Sequence, residues 1–431
     1  MKAWQTWAIR IGIACAAVLC AVALALVWWL PTDEELALRV TAEAEDALGV
    51  KVSIGSVHWG LLPRPAITVN DFRTQQSPPI VVGKLSVYPS LSMLLHRKLV
   101  VARMDVDDAT LPRNALRALH VKPGIGAPDA GDGVPLEQLV FRNLAWISYS
   151  GIATSFDGEI DFDPHWRPRR AEVRRSGITT PFTLTAARDG DADRWQTQIF
   201  VGGGTAHGQI ALKTAEDGST VHLSGELTPH DIEVASALSA FNRKSPISGK
   251  ATGHTVLSAD GASLGELTRT LHTHTTFNVN AATVLRFDLD KAISTRGKEH
   301  DGQTPLQELT GQLDTQNGAE GMRVTGADIR ARAGKYTATG QGTLYHGQIE
   351  ASGNIDLVEG AIGVPFSMSG PVQKPKVTVP PGFFAGAAIG TAVLPGIGTV
   401  VGARIGGALG NLFKGDAQQS TGPKKNGTLQ K

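Results

Sequence analysis

The pentapeptide Gly261-Ala262-Ser263-Leu264-Gly265 fits G-x-S-x-G, the pattern in which a sharp strand-to-helix turn exposes a serine hydroxyl for nucleophilic attack. An alternating stretch ends near Leu257 and helical spacing starts near Leu264, so the local setting fits in part. Asp288 or Asp290, followed by His300 or His346, would complete the order serine, acid, histidine. That elbow, however, requires a parallel sheet with crossover helices, and the sequence patterns as neither. The preferred reading is therefore that Ser263 caps a helix packed through Leu264, Leu267 and Leu271. A serine hydrolase stands as a distant alternative, and no catalytic residue is assigned.

Other chemistry-bearing patterns are weaker. His272 and His274 flank Thr273 and would share one strand face, but without thiols or an adjacent carboxylate they read as surface histidines, and no metal is expected. Gly396 to Gly402 is Gly-rich but sits in an apolar run without the strand, helix and distal acid of a dinucleotide loop. No Walker lysine motif is present, so neither nucleotide nor other cofactor is expected. Lys and Arg number 41 against 40 Asp and Glu, a net charge of +1, which excludes the basic field of a nucleic-acid protein. With 42% hydrophobic residues the 431-residue chain can bury a core. Its 49 Gly and 23 Pro fall short of the ~25–30% share that marks low complexity.

The elements around these motifs begin with an uncharged run from Ile11 to Leu30. A helix of that length spans ~30 Å, the thickness of a bilayer's hydrocarbon. Lys2 and Arg10 precede it, Asp33, Glu34 and Glu35 follow it, and Trp4, Trp7, Trp28 and Trp29 lie at its two ends. This predicts one transmembrane anchor with a cytoplasmic N-terminus and the bulk of the chain outside. A cleaved signal peptide at Ala23-Leu24-Ala25 is the rival reading; a lipoprotein signal fits less well because Leu19 precedes Cys20. Both cysteines, Cys15 and Cys20, lie in this run, so the exported part contains no thiol.

Thr32-Asp33-Glu34-Glu35 reads as a capping box opening a helix that Gly49 ends. From there the period becomes two: Val52 and Ile54, Ile67 and Val69, then Val100, Ala102, Met104 and Val106, with a short helix at Leu91, Leu94 and Leu95. Downstream, Phe182 and Leu184, Trp195 and Ile199, Val221 and Leu223, Phe277 and Val279, and Leu285, Phe287 and Leu289 alternate with polar residues. Gly-containing turns such as Asp189-Gly190-Asp191 separate them. A helix is expected over Asp231 to Phe241, and exposed loops over Val121 to Pro135 and Lys291 to Pro305. Half-polar strands joined by short turns predict a mainly β fold, an elongated curved antiparallel sheet with one dry and one wet face. The dry face, with Val100, Met104, Phe182, Leu184, Val221, Leu223, Phe277, Val279, Leu285 and Phe287 as its candidate lining, forms either an open groove or the inside of a closed sandwich.

Phe383 to Ala403 carries no charge, and Gly382, Gly386 and Gly390, then Gly398, Gly402, Gly406 and Gly410, recur every fourth residue. That spacing aligns glycines on one helix face for close approach, with Pro395-Gly396 between the halves. It predicts a helical hairpin that enters or lies on a membrane or self-associates; a buried helical pair capping the sheet is the alternative. Arg404, Lys414, Lys424 and Lys425 provide a basic flank.

Three stretches resemble the AsmA-like envelope proteins of Gram-negative bacteria. They are the anchor and helix with Ala47 to Val52, Pro65 to Phe72 and Leu91 to Val101; Gly261 to Leu271 with Asn280 to Asp290; and Leu306 through Asn317-Gly318 and Gly340-Gln341-Gly342 to Gly370-Pro371. The resemblance implies an inner-membrane-anchored periplasmic β-groove that shelters or transfers phospholipid or another envelope lipid and supports outer-membrane assembly, without enzymatic activity. A scaffold that binds envelope proteins is the alternative. The expected organisation is an anchor (1–31), an AsmA-like helix and strands (32–120), a middle β region (121–245), a C-terminal AsmA-like β region (246–380), the glycine-zipper segment (381–414) and a disordered basic tail (415–431).

Overall fold

The computed structural model describes residues 32–378 apart from 61–63, 97, 99, 119–133, 165–166, 176, 179–180, 217–219, 263, 296–298, 300, 319–320, 357–362 and 373–374. The expected anchor over 11–30 and the zipper glycines Gly386, Gly390, Gly398, Gly402 and Gly406 lie outside the described residues. Among the described residues, no helix is long and apolar enough to cross a membrane. The fold is mainly β, with 64% strand and 12% helix, a ratio that leaves no room for a crossover helix per strand.

Two compact units divide the chain: Met1–Leu144 with Phe162–Arg167, and Ala145–Asp161 with Pro168–Lys431.

The first unit opens with helix α1 (Asp33–Leu48). Thr32 is its N-cap, accepting a hydrogen bond from Glu35 N at 3.3 Å, and Gly49 ends it with φ 68, a left-handed backbone that glycine adopts at least cost. The strands are β1 (Val52–Ser53), β2 (Ser56–Gly60), β3 (Ala66–Thr74), β4 (Val81–Pro89) and β5 (Val101–Pro112), with helix α2 (Leu91–Leu95) before β5. β1 and β2 pair with β3, β3 with β4 and β4 with β5, all antiparallel. Trp59, Ile67, Val87 and Met104 are partners in one row across four strands, and Val57, Val69, Leu85 and Val106 in the next. Asp71 and Asp108 have positive φ, and beyond them the alternation changes phase, so that Phe72, Val82 and Ala109 form the next apolar row.

β6 (Gln138–Ile147) and β7 (Ala153–Phe162) lead to the second unit's run of β8 (Pro168–Arg175), β9 (Phe182–Arg188), β10 (Arg194–Val201), β11 (Gly204–Thr214) and β12 (Val221–His230). After β13 (Ile232–Glu233) and helix α3 (Val234–Ser239) come β14 (Ile247–Gly261), helix α4 (Leu264–Thr270), β15 (His272–Val284), helix α5 (Leu289–Ser294) and β16 (Thr304–Pro305). The run ends with β17 (Glu308–Gly318), β18 (Gly321–Ala333), β19 (Tyr336–Tyr345), β20 (Gln348–Asp356), β21 (Gly363–Pro371) and β22 (Lys376–Thr378). From β8 to β22 each long strand pairs with its sequence neighbours, always antiparallel, while β13 and β16 are short insertions.

This sheet is open and curved. A twist of ~20–25° per strand accumulates to roughly half a turn between β8 and β19. Tyr149, in the turn after β6, stacks on His346, in the turn after β19, with ring centroids 6.1 Å apart and planes at 11°.

Three expectations need correction. Leu285 and Phe287 are not in a strand, because β15 ends at Val284 and the chain turns into α5. The stretch Lys291 to Pro305 is not all loop, since α5 and β16 occupy its ends. The expected 231–241 helix is confined to Val234–Ser239, because Ile232 and Glu233 pair with β14 first.

Candidate apolar binding face

The registers sort the second unit's side chains onto two unlike faces. One row runs Ala186, Thr197, Gly208, Leu227, Thr255, Thr275, Leu313, Gly326, Gly342, Ala351, Met368 and Val377 from β9 to β22. The row one residue along, on the other face, runs Gln196, Gln209, Glu226, Val256, His274, Asp314, Thr325, Thr343, Glu350 and Ser369. The first face carries hydrocarbon, glycine and threonine, and the second is almost wholly polar.

Two pairs of threonines on the apolar face satisfy each other's hydroxyls, whereas the buried Thr197 hydroxyl in the same row has no hydrogen-bond partner among the described residues. Thr255 and Thr275 Oγ1 lie 3.0 Å apart, and Thr273 and Thr315 Oγ1 lie 2.6 Å apart. Such cross-strand pairs cancel the cost of polar atoms on a dry surface. Glycines on this face take the edges of aromatic rings: an added Cβ on Gly311 would lie 3.0 Å from Phe277 Cζ, and one on Gly353 2.8 Å from Phe366 Cε1. The rings cover main chain that has no side chain of its own.

The middle of the face is not sealed. Leu223, Leu227, Leu313, Val324, Leu344, Ile349 and Phe366 are half-buried, and Met322 and Val377 are 53% and 40% exposed. A buried cluster closes the β9–β10 end, where Phe182, Val201 and Ala240 are ringed by Phe156, Leu184, Ile199 and Phe241, and a second buried cluster, Val279, Ala282 and Leu309, has Phe277 packed at its margin. Phe182 meets Phe241 edge-on at 5.1 Å and Phe156 at 6.1 Å. Arg175 locks this cap, donating from Nε to Ala240 O at 2.6 Å and from Nη1 to Ser155 O at 2.8 Å; burial lowers its pKa. Burial alone would raise the Glu233 carboxyl, yet the hydrogen bonds it accepts from Ser236, Ala235 and Gly249 prevail and hold it below its ordinary value. Glu233 thereby caps α3 as well.

Each expected lining residue now has a place. Val221 and Leu223 sit on the apolar face opposite Gly261 and Ala259. Phe277 and Val279 sit on it opposite Gly253 and Ala251, Val279 within a buried cluster with Ala282 and Leu309. Phe182 and Leu184 share the face but belong to the capped end. Met104 lies in the first unit's apolar row and Val100 is half-buried just before β5. Leu285 lies in the turn after β15, where it lines a recess, and Phe287 lies two residues on in the same turn.

The residues weighed for chemistry are dispersed. Ser263 and His300 lie outside the described residues. Gly261 and Leu264, which flank Ser263, precede β15, whereas Asp288 and Asp290 follow it, and a strand of that length extends ~40 Å. His346 occupies the β19–β20 turn. Sequence reading missed Asp314, which lies across from His274 in β17: its Oδ1 is 3.1 Å from His272 Nε2 and 3.2 Å from His274 Nδ1. No group of three or more His, Cys, Asp or Glu among the described residues is arranged to hold a metal.

No protein-family model, curated protein or solved structure matches the chain.

Proposed function

We propose that the apolar face of the second unit shelters lipid acyl chains, and that the protein is a non-enzymatic, inner-membrane-anchored periplasmic component of envelope lipid handling and outer-membrane assembly. The observation that carries this reading is the row from Ala186 to Val377, apolar or small across the whole run of strands and half-buried through its middle. Carrying a bare sixteen-carbon chain through water costs on the order of 13 kcal/mol at ~0.8 kcal/mol per methylene. A groove-like sheet that takes even half of the chain's surface removes several kcal/mol of that cost along its length. The AsmA-like stretches, the apolar Ile11 to Leu30 run and the Gly-spaced tail from Phe383 support the same reading, with the tail as a membrane-contacting element.

The test is photocrosslinking in living cells from a benzophenone amino acid placed at Leu223 or Phe277, with Thr276 on the polar face as control. Lipid adducts at the first two positions and none at Thr276 are expected. Protein adducts alone at Leu223 and Phe277 would instead favour a scaffold that binds envelope proteins.

A further inference from the structure

Beyond β15 the chain folds back on itself to make a recess of about 380 Å³ lined by Leu285, Arg286, Asp301, Gly302 and Gln303. Its frame is well tied. Val284 pairs with Thr304, and the buried Thr304 hydroxyl donates to Phe287 O at 2.6 Å and accepts from Leu289 N at 2.9 Å. Gly302 lets the 301–303 segment settle against Asp288, whose Cβ would lie 2.8 Å from a Cβ at that position. Asp288 Oδ1 in turn accepts from Lys291 N at 2.9 Å, at the start of α5.

The recess adjoins the apolar face. Leu285 N bonds Pro246 O at 2.9 Å and Leu306 N bonds Ala282 O at 2.8 Å, and Ala282 and Leu306 belong to the cluster that includes Phe277 and Val279. Its polar lining carries both signs of charge. Among the described residues Arg286 and Asp301 form no ion pair or hydrogen bond, with each other or with any neighbour. A guanidinium without a partner is a ready site for a phosphate. Asp301 in the same wall offers a carboxylate to an ammonium group, so a headgroup that carries both charges matches the lining.

From this juxtaposition we propose that the recess receives the headgroup of a zwitterionic phospholipid, its phosphate on Arg286 and its ammonium group on Asp301, while its acyl chains lie on the adjacent apolar face. This deepens the acyl-chain reading and rests on it.

The experiment offers the full chain, in detergent, vesicles of phosphatidylethanolamine and phosphatidylglycerol with identical acyl chains, then measures retained lipid of each kind by mass spectrometry. Wild type is expected to retain the ethanolamine lipid in preference by about tenfold, the worth of one charge-assisted hydrogen bond. Asp301→Asn should bring the ratio close to one with total lipid unchanged. Arg286→Gln, which removes the partner of a phosphate that both lipids carry, should lower retention of both, and Arg286→Lys should keep most of it. A wild-type ratio near one, or an undiminished ratio in Asp301→Asn, would overturn the headgroup site and leave the acyl-chain reading standing. Folded wild type that retains neither lipid would overturn both.

Discussion

Phe182→Ala separates the closed end of the apolar face from its open middle. Phe182 is only 9% exposed and is met edge-on by Phe241 and Phe156. Removing a ring from such a place loses its transfer energy, leaves a cavity and breaks two aromatic pairs, together about 3–5 kcal/mol. At ~2–4 °C per kcal/mol for a unit of a few hundred residues, the thermal midpoint should fall by at least about 6 °C. Phe277 is half-buried, so Phe277→Ala forfeits a smaller transfer term and little cavity energy, on the order of 1–2 kcal/mol. Thermal unfolding of the full chain in detergent, followed by circular dichroism, gives the ranking. Lipid extracted from the same samples gives the second axis: Phe182→Ala should keep its acyl content and Phe277→Ala should lose part of it. A smaller midpoint shift for Phe182→Ala than for Phe277→Ala would refute the division into capped and open regions. So would equal loss of lipid from both.

Three further outcomes follow from single contacts. Because the folded-state pKa of Glu233 is depressed, its contribution to stability is complete above the ordinary carboxyl value of 4.5 and is lost as pH falls through the lower folded value. The ~1 kcal/mol by which wild type exceeds Glu233→Gln at pH 7 should therefore shrink in urea titrations below pH 4.5, and a gap that widens there would contradict the assignment. An alanine at Gly353 would set its Cβ against Thr339 O and the Phe366 ring, whereas one at Gly60 would meet nothing within 4 Å; Gly353→Ala should lower the thermal midpoint and Gly60→Ala should leave it unchanged or raised. Thr304→Val removes one bond to Phe287 O and one from Leu289 N, and should cost about 1–3 kcal/mol by chemical denaturation while loosening the recess after β15.

Much of the fold was legible because the forces that set it are local. Thr32 and Gly49 bracket α1 through contacts within one helical turn, and the period-two alternation in β9, β10, β12 and β15 reflects a sheet with one polar and one apolar side. What escaped was set by residues distant in sequence. Alternation at Leu285, Phe287 and Leu289 continues the pattern of β15, but Leu285 N is taken by Pro246 O and Thr304 captures the chain from the other side. Asp314 is forty residues from His274 and becomes its neighbour only through strand register. Gly311 and Gly353 carry no signal of their own in the sequence, and their role emerges only with the rings of Phe277 and Phe366 placed beside them.

Because the long strands from β8 onward join the ones immediately before and after them, assembly of this sheet needs few distant chain segments to find one another. Each new hairpin can zip onto a template already formed, which keeps loop-closure costs small for an all-β architecture. The sheet can thus grow in the order in which its residues are delivered, lengthening its hydrocarbon-bearing side one strand at a time.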